Sequence, residues 1–326
     1  MGAMLNRRLR VEGVGKPVSQ LALGTAFYGF DNRGLWFRML DEFVEAGGTV
    51  IDTARAYGGG ESEKLIGMWM QARGARDNVV LITKCGLGKH GALPEHDFTG
   101  MVAAELTQSL ECLRTDCVDL YMLHRDNPSL AVAEIMECLN GELARGRVRA
   151  IGASNWQYAR VDEANEYARR HGLKGFAAIS NNLSLAVPTG PFYPGLVSVD
   201  AVGERWHART ATPLVSWSSQ ARGFFTGRYS RTPPDGVHSV ADGFAKRMLE
   251  VYCTDENHER LRRAQELGES KGGYSAVQMA LAWVLHRPFP VVAIVGPHTT
   301  EELASCVEAA SIELTEAESR WLTAAA

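Results

Sequence analysis

Eight short apolar runs, each followed by a segment of helical periodicity, predict an α/β protein built as a single (β/α)8 TIM barrel. Three observations carry that prediction. The runs are mostly apolar throughout, as expected of parallel strands buried on both faces. No Gly/Ser-rich linker divides the chain into halves. The strand count exceeds the roughly six at which a doubly wound sheet usually stops. A length of 326 residues holds one such barrel, typically ~250 residues, plus insertions. One domain is therefore expected over 1–326, with Met1–Ala3 read as a remnant of cloning.

Taken in order, Arg8–Ser19 alternates around a glycine-rich turn and is expected to form an N-terminal β-hairpin. Leu21–Leu23 is the first barrel strand, ending at Gly24-Thr25, and Leu35–Ala46 follows it as a helix. Thr49–Asp52, flanked by Gly47-Gly48, is the second strand, with the helix from Glu61 to about Arg73 behind it. Asn78–Lys84 precedes a long loop and the helix Thr99–Leu113. Val118–His124 precedes Leu130–Ala144, and Val148–Ser154 precedes Gln157–Arg170. Phe176–Ser180 leads through a Pro/Gly-rich loop to Ser198–Ala211. Pro213–Trp217 is followed by a helix from about Asn257, with a break at Gly272-Gly273 that marks an inserted helix pair. Pro290–Gly296 closes the series, followed by Thr300–Ala309 and an extra C-terminal helix from Thr315.

Composition removes several functions. Net charge is −4 with no long basic run, which argues against nucleic acid or an anionic membrane as partner. No apolar stretch reaches the ~18 residues that a membrane span requires, and no apolar secretion segment opens the chain. The six cysteines include no Cys-x-x-Cys pair, which suits reduced thiols and a cytoplasmic location. Cys112 and Cys117 lack a His or second Cys pair at zinc spacing, so no metal is expected. Gly86-Leu-Gly-Lys-His-Gly91 matches G-x-G-x-x-G, but no helix opens directly from it and Pro94 lies close behind. Cys85 is expected to be a buried packing thiol.

In a barrel of this kind the reacting groups gather at the C-terminal strand ends. Asp52, Lys84 and His124 end the second, third and fourth strands, and Tyr57 lies in the loop after the second. Ser154-Asn155, Ser180 and Trp217 follow at the next three. A tyrosine hydroxyl has a pKa near ~10 and is a weak acid at neutral pH unless its phenolate is stabilised. An ammonium at Lys84, held by Asp52, would do that, and His124 could bond the atom that takes the proton. The set suits a general acid for a developing alkoxide better than a metal site or a nucleophile pair. An alkoxide of that kind usually follows hydride delivery to a carbonyl, which needs a hydride carrier. Trp217 could stack on a flat ring, and Ser154 and Asn155 could bind an amide.

Thr49–Gly67, Leu81-Ile-Thr-Lys84, Leu120-Tyr-Met-Leu-His-Arg-Asp126, Ile151-Gly-Ala-Ser-Asn155 and Ala293-Ile-Val-Gly296 together resemble the signature segments of the aldo-keto reductase superfamily, in order and over nearly the whole chain. The resemblance implies a barrel that binds an extended nicotinamide dinucleotide and reduces an aldehyde or ketone to the alcohol, or the reverse, by direct hydride transfer. It implies Tyr57 as general acid, Asp52 and Lys84 as the pair lowering its pKa, and His124 as the group orienting the carbonyl. It further implies Gly24, Thr25, Asp52, Ser154, Asn155, Ser180, Trp217, Ser218, Gln220, Gly223, Gly296, His298, Thr299 and Glu302 as the cofactor-binding set. Two departures stand out: Ser180 replaces a common Gln, and Ser218-Ser-Gln-Ala-Arg-Gly223 replaces Ser-Pro-Leu-Gly-x-Gly. Relatives preferring NADP(H) place Arg or Lys where this chain has His298, Thr299 and Glu302. NADP(H) is the expected cofactor, NAD(H) the alternative, and Arg222 the cation that could compensate.

The substrate is expected to be a small carbonyl or alcohol meeting Phe27, Tyr57, His124 and Trp156. Loops around Tyr28, Trp36, His90–Phe98, Pro188–Pro194 and Phe224-Phe225 complete the expected pocket wall. Two other readings are a redox-sensing regulatory subunit of the same fold with little turnover, and a Schiff-base aldolase using Lys84. The sequence sets no oligomeric state.

Overall fold

A computed structural model describes residues 4–87, 97–229 and 243–324. Most of the expected pocket segment His90–Phe98 and most of Gly86–Gly91 lie outside these residues. The first strands, β1 (Arg8–Leu9) and β2 (Val18–Ser19), pair antiparallel, Leu9 opposite Val18. Next come β3 (Leu21–Gly24) with α1 (Arg33–Glu45), and β4 (Val50–Asp52) with α2 (Glu61–Arg73). These are followed by β5 (Val80–Cys85) with α3 (Phe98–Leu113), and β6 (Val118–Leu123) with α4 (Val132–Ala144). The alternation continues through β7 (Val148–Ser154), α5 (Tyr158–Arg170), β8 (Ala178–Ser180), α6 (Ala201–Thr210) and β9 (Leu214–Ser216). A helical insertion, α7 (Gly243–Val251), α8 (Asp255–Ser270) and α9 (Ala276–Leu285), precedes β10 (Val291–Val295). The chain then runs through α10 (Thr300–Ala309) and α11 (Glu316–Thr323). The break expected at Gly272-Gly273 separates α8 from α9, whereas α7 was not expected.

Strands β3 to β10 close into a parallel barrel in chain order, β10 returning to β3. Because strand side chains alternate faces, every second residue points inward. The inward set is Ala22, Val50, Val80, Ile82, Leu120, Met122, Ala150, Ala178, Val215 and Val292, a packed core within the barrel. Leu9, Val11, Val14 and Val18 of the hairpin join the same cluster, so β1 and β2 plug its N-terminal end. A second, larger core lies between barrel and helices, with Phe43, Trp69, Leu106, Ile135 and Val161 fully buried. Continuing the inward series by two residues, or by four through Gly152 on β7, reaches Gly24, Asp52, Lys84, His124, Ser154, Ser180 and Trp217, all at the end opposite the plug.

Among the described residues no helix is long and apolar enough to cross a membrane. Nor is any group of His, Cys, Asp and Glu among them arranged as a metal site.

Candidate active site

Parallel register sets the first contact. Asp52 lies opposite Ile82 on the neighbouring strand, and Lys84, two residues further, shares that inward face. Lys84 Nζ donates to Asp52 Oδ1 at 2.6 Å and to the Thr53 carbonyl at 2.9 Å, with both charged side chains buried. Desolvation disfavours the ammonium, but Asp52 and the Tyr57 hydroxyl outweigh it and hold the Lys84 pKa above its usual value.

The tyrosine reaches this pair by a sharp turn. Gly58, Gly59 and Gly60 all have left-handed backbones, φ +55, +60 and +97°, which a glycine run adopts without strain. At Gly60 a side chain would also collide with the Arg55 guanidinium. The Lys84 ammonium sits 5.2 Å from the Tyr57 ring centroid, and His124 meets that ring edge-on at 5.8 Å. Burial raises the Tyr57 pKa, Lys84 pulls it back down, Asp52 pushes it up again, and the net is upward. The lysine therefore offsets desolvation rather than producing a lowered pKa in the free protein. His124 is pushed well below its usual pKa by burial and by the Lys84 and Arg125 charges, so its ring is neutral. Its Nδ1 is enclosed without a partner.

Behind the tyrosine turn, Arg55 pairs with Glu63, which is fully buried and accepts a 2.7 Å bond from Thr83 Oγ1. The pair ties the loop carrying Tyr57 to β5. Glu63→Gln leaves the guanidinium without its charge partner and is expected to cost about 1–3 kcal/mol of stability. Thermal unfolding and denaturant titration measure it, and a change below about 0.5 kcal/mol would remove the pair from the account.

Other predicted positions divide into those with free capacity and those already committed. Thr25 Oγ1 donates to the Asp52 carbonyl at 2.9 Å and contacts Ser62 Oγ at 2.7 Å, so its hydroxyl braces the first two barrel strands. Asn155 Nδ2 donates to the His124 carbonyl and Ser154 Oγ, and its Oδ1 accepts the Val197 N–H. Ser154 Oγ donates to the Ser180 carbonyl at 2.9 Å. By contrast, Ser180 Oγ, Asn181 Oδ1 and Trp217 Nε1 are buried without partners. These orphaned atoms sit on adjacent strand ends and are ready for a polar ligand. The loop after β9 has left-handed backbones at Ser218 and again at Ala221, Arg222 and Gly223, and the Ala221 and Gly223 N–H groups donate to the Ser218 and Gln220 carbonyls. Gln220 Nε2 contacts Cys306 Sγ at 3.5 Å. Gly296 has open space where a side chain would start.

At the start of α10, Thr299 Oγ1 accepts the Glu302 N–H and Glu302 Oε2 accepts the His298 N–H at 2.7 Å. Thr299 and Glu302 thus cap the helix. His298 packs against Phe27, 4.8 Å between centroids, and Phe27 is exposed at the rim.

Some pocket expectations are corrected. Trp156 is fully buried, edge-on to Phe176 at 5.2 Å and beneath Arg160, in the core outside the barrel. It offers no surface to a substrate. The cause is Asn155, whose left-handed backbone (φ +61°) breaks the strand alternation and turns the next residue outward. Tyr28 and Trp36 stack on each other and are buried, as are Phe224 and Phe225. The Arg222 guanidinium lies 4.4 Å from the Phe192 ring centroid and 5.7 Å from that of Trp217. Arg125, buried immediately beyond His124, was not singled out from sequence. A basic residue in a polar loop reads as solvated, and only the Pro188–Val197 segment folded over it removes the solvent.

Known proteins resemble the chain over nearly its whole length. The Aldo/keto reductase family model matches residues 20–326. Norsolorinic acid reductase of Emericella nidulans is 32% identical over 93% of this chain and 77% of its own. Aryl-alcohol dehydrogenase [NADP(+)] of Phanerodontia chrysosporium is 29% identical over 88% of this chain and 74% of its own. Glycerol dehydrogenase of Gluconobacter oxydans superposes with a TM-score of 0.76 at 22% identity, covering 97% of this chain and 93% of its own. With the barrel, the strand-end constellation and a family match over nearly its whole length, the chain belongs to the aldo/keto reductase family.

Proposed function

We propose that this site interconverts an aldehyde or ketone with its alcohol using a nicotinamide dinucleotide. The observation that carries the reading is the buried ammonium of Lys84, held by Asp52 at 2.6 Å and set against Tyr57 with neutral His124 across the ring. A bound nicotinamide supplies or accepts the hydride. The protein's part is positional and electrostatic. Tyr57 gives its hydroxyl proton to the oxygen that gains charge, Lys84 stabilises the phenolate left behind, and Asp52 keeps the ammonium in place. His124, uncharged, offers a ring N–H to the carbonyl oxygen without competing for the proton.

Ser180 Oγ and Asn181 Oδ1 are the unpartnered atoms suited to a carboxamide, with Trp217 as the stacking face. Asn155 and Ser154 support these positions by bracing β7 against β8 and the overlying loop. NADP(H) is the preferred cofactor, by analogy with the NADP(+) named for the Phanerodontia relative. Glu302 opposes that preference through its charge, although Arg38 lies in electrostatic range of Glu301 at the same helix start.

The test is fluorescence titration with NADPH and NADH, followed by a carbonyl panel across pH. Consumption of NADPH by at least one carbonyl is expected, with no inflection from His124 near its ordinary value of about 6.5, since burial has moved its pKa well below that. Cofactor binding without turnover of any aldehyde or ketone would favour a redox-sensing role instead.

A further inference from the structure

Two arginines at the pocket lack a carboxylate partner among the described residues, unlike most of the other enclosed arginines. Arg55, Arg76, Arg147, Arg160 and Arg263, all at least half-enclosed, pair with Glu63, Asp119, Glu142, Asp126 and Glu259. Arg125 is only 9% exposed, yet its Nη1 donates to the His124 carbonyl at 2.9 Å and its Nε has no partner. Arg222 is fixed in a left-handed backbone, φ +54°, that an L residue adopts at a cost. Its guanidinium is caged by Phe192 at 4.4 Å, with Tyr193 and Trp217 at 5.7 Å, and its Nε is also buried and unpartnered.

A cation that is buried, as Arg125 is, or half-buried, as Arg222 is, with an unpartnered Nε is unfavourable unless a ligand supplies the counter-charge. Both side chains lie under one loop. Arg125 packs beneath Gly195 and Arg222 against Phe192, so the same loop covers both. Both also lie within electrostatic reach of the Tyr57 hydroxyl, and the tyrosine at 252 is the hydrogen-bonding neighbour of Arg222. The arrangement has planar donor forks matched to a carboxylate or phosphate and aromatic faces for the body of the molecule.

We infer that the carbonyl substrate carries an anionic group, a carboxylate or a phosphate, gripped by Arg222 and Arg125 beneath the Pro188–Val197 loop. The inference rests on the carbonyl-reducing function proposed above. The anion could also be a cofactor phosphate, and the test separates the two sources.

The probes are 4-carboxybenzaldehyde, its neutral methyl ester, and benzoate. Wild-type protein is expected to favour the acid over the ester in kcat/KM by at least about tenfold. Arg222→Gln should lose about tenfold of that ratio and Arg222→Lys should recover part of it. Calorimetry of benzoate on the cofactor-loaded protein reads the same site without turnover, and Arg222→Gln should weaken that binding about tenfold. If Arg222→Gln weakens NADPH binding and leaves the acid/ester ratio intact, the anion belongs to the cofactor and the inference is overturned. Absent benzoate binding in wild type also overturns it. Benzoate binding with no aldehyde reduced would uphold the anion site while overturning the carbonyl-reductase reading.

Discussion

Tyr57→Phe is expected to lower kcat for carbonyl reduction by about 10²- to 10⁴-fold, the usual worth of a positioned general acid. That is roughly 3–5 kcal/mol of transition-state stabilisation at 1.36 kcal/mol per decade. The substitution removes one oxygen and keeps the ring that packs against Lys84 and His124. Unfolding temperature and NADPH affinity should therefore change little. The pH profile adds a second, independent reading. In the proposed reaction reduction needs the protonated phenol, so activity is expected below the Tyr57 pKa and should fall as pH rises through it. Burial sets that pKa above the ordinary tyrosine value, with Lys84 the main opposing influence. The alkaline limb should thus lie high in native protein and be absent from the residual activity of Tyr57→Phe. A variant that retains more than about a tenth of native kcat would transfer the acid role elsewhere, His124 being next in line by contact.

How much of this was readable from sequence follows from what a strand does to its side chains. Asp52, Lys84, His124, Ser154, Ser180 and Trp217 share a face because period-two alternation carries the inward series to the strand ends. Counting residues from the apolar runs finds them. The count fails one residue past the strand. Asn155 turns left-handed, and Trp156 goes into the outer core. Arg222 shows the same limit, since its own left-handed backbone aims the side chain at Phe192. Nothing in the residue types announces either turn. Thr25 and Asn155 were recognisable as positions at the site, but their hydroxyl and amide are taken up by neighbouring strand ends, and that competition appears only in three dimensions. The helix α7 escaped notice because the approach to it is glycine- and proline-rich.

Lys84→Met should inactivate the enzyme and also cost about 3–5 kcal/mol of stability, because it leaves the buried Asp52 carboxylate without its cation. The two effects have different origins and can be separated. Loss of activity follows from an unassisted Tyr57. Loss of stability follows from Asp52, which burial already pushes toward protonation and which Lys84 holds back through charge and hydrogen bonding. Without the lysine, the folded-state pKa of Asp52 rises further above its unfolded value of about 3.9. The folded variant then binds a proton that the unfolded chain releases. Its stability deficit should be greatest at neutral and alkaline pH and shrink as pH falls toward about 5. The native protein has no such trend from Lys84, whose raised pKa keeps it charged below about 10.4, with its contribution lost only as pH climbs through the raised value. Asp52→Leu/Lys84→Met, which removes both charges, should recover most of the stability and none of the activity. Denaturant unfolding of the two variants at several pH values reads all three expectations. A single variant as stable as native at neutral pH, or a deficit that does not respond to pH, would mean that Asp52 is not the buried anchor of this site.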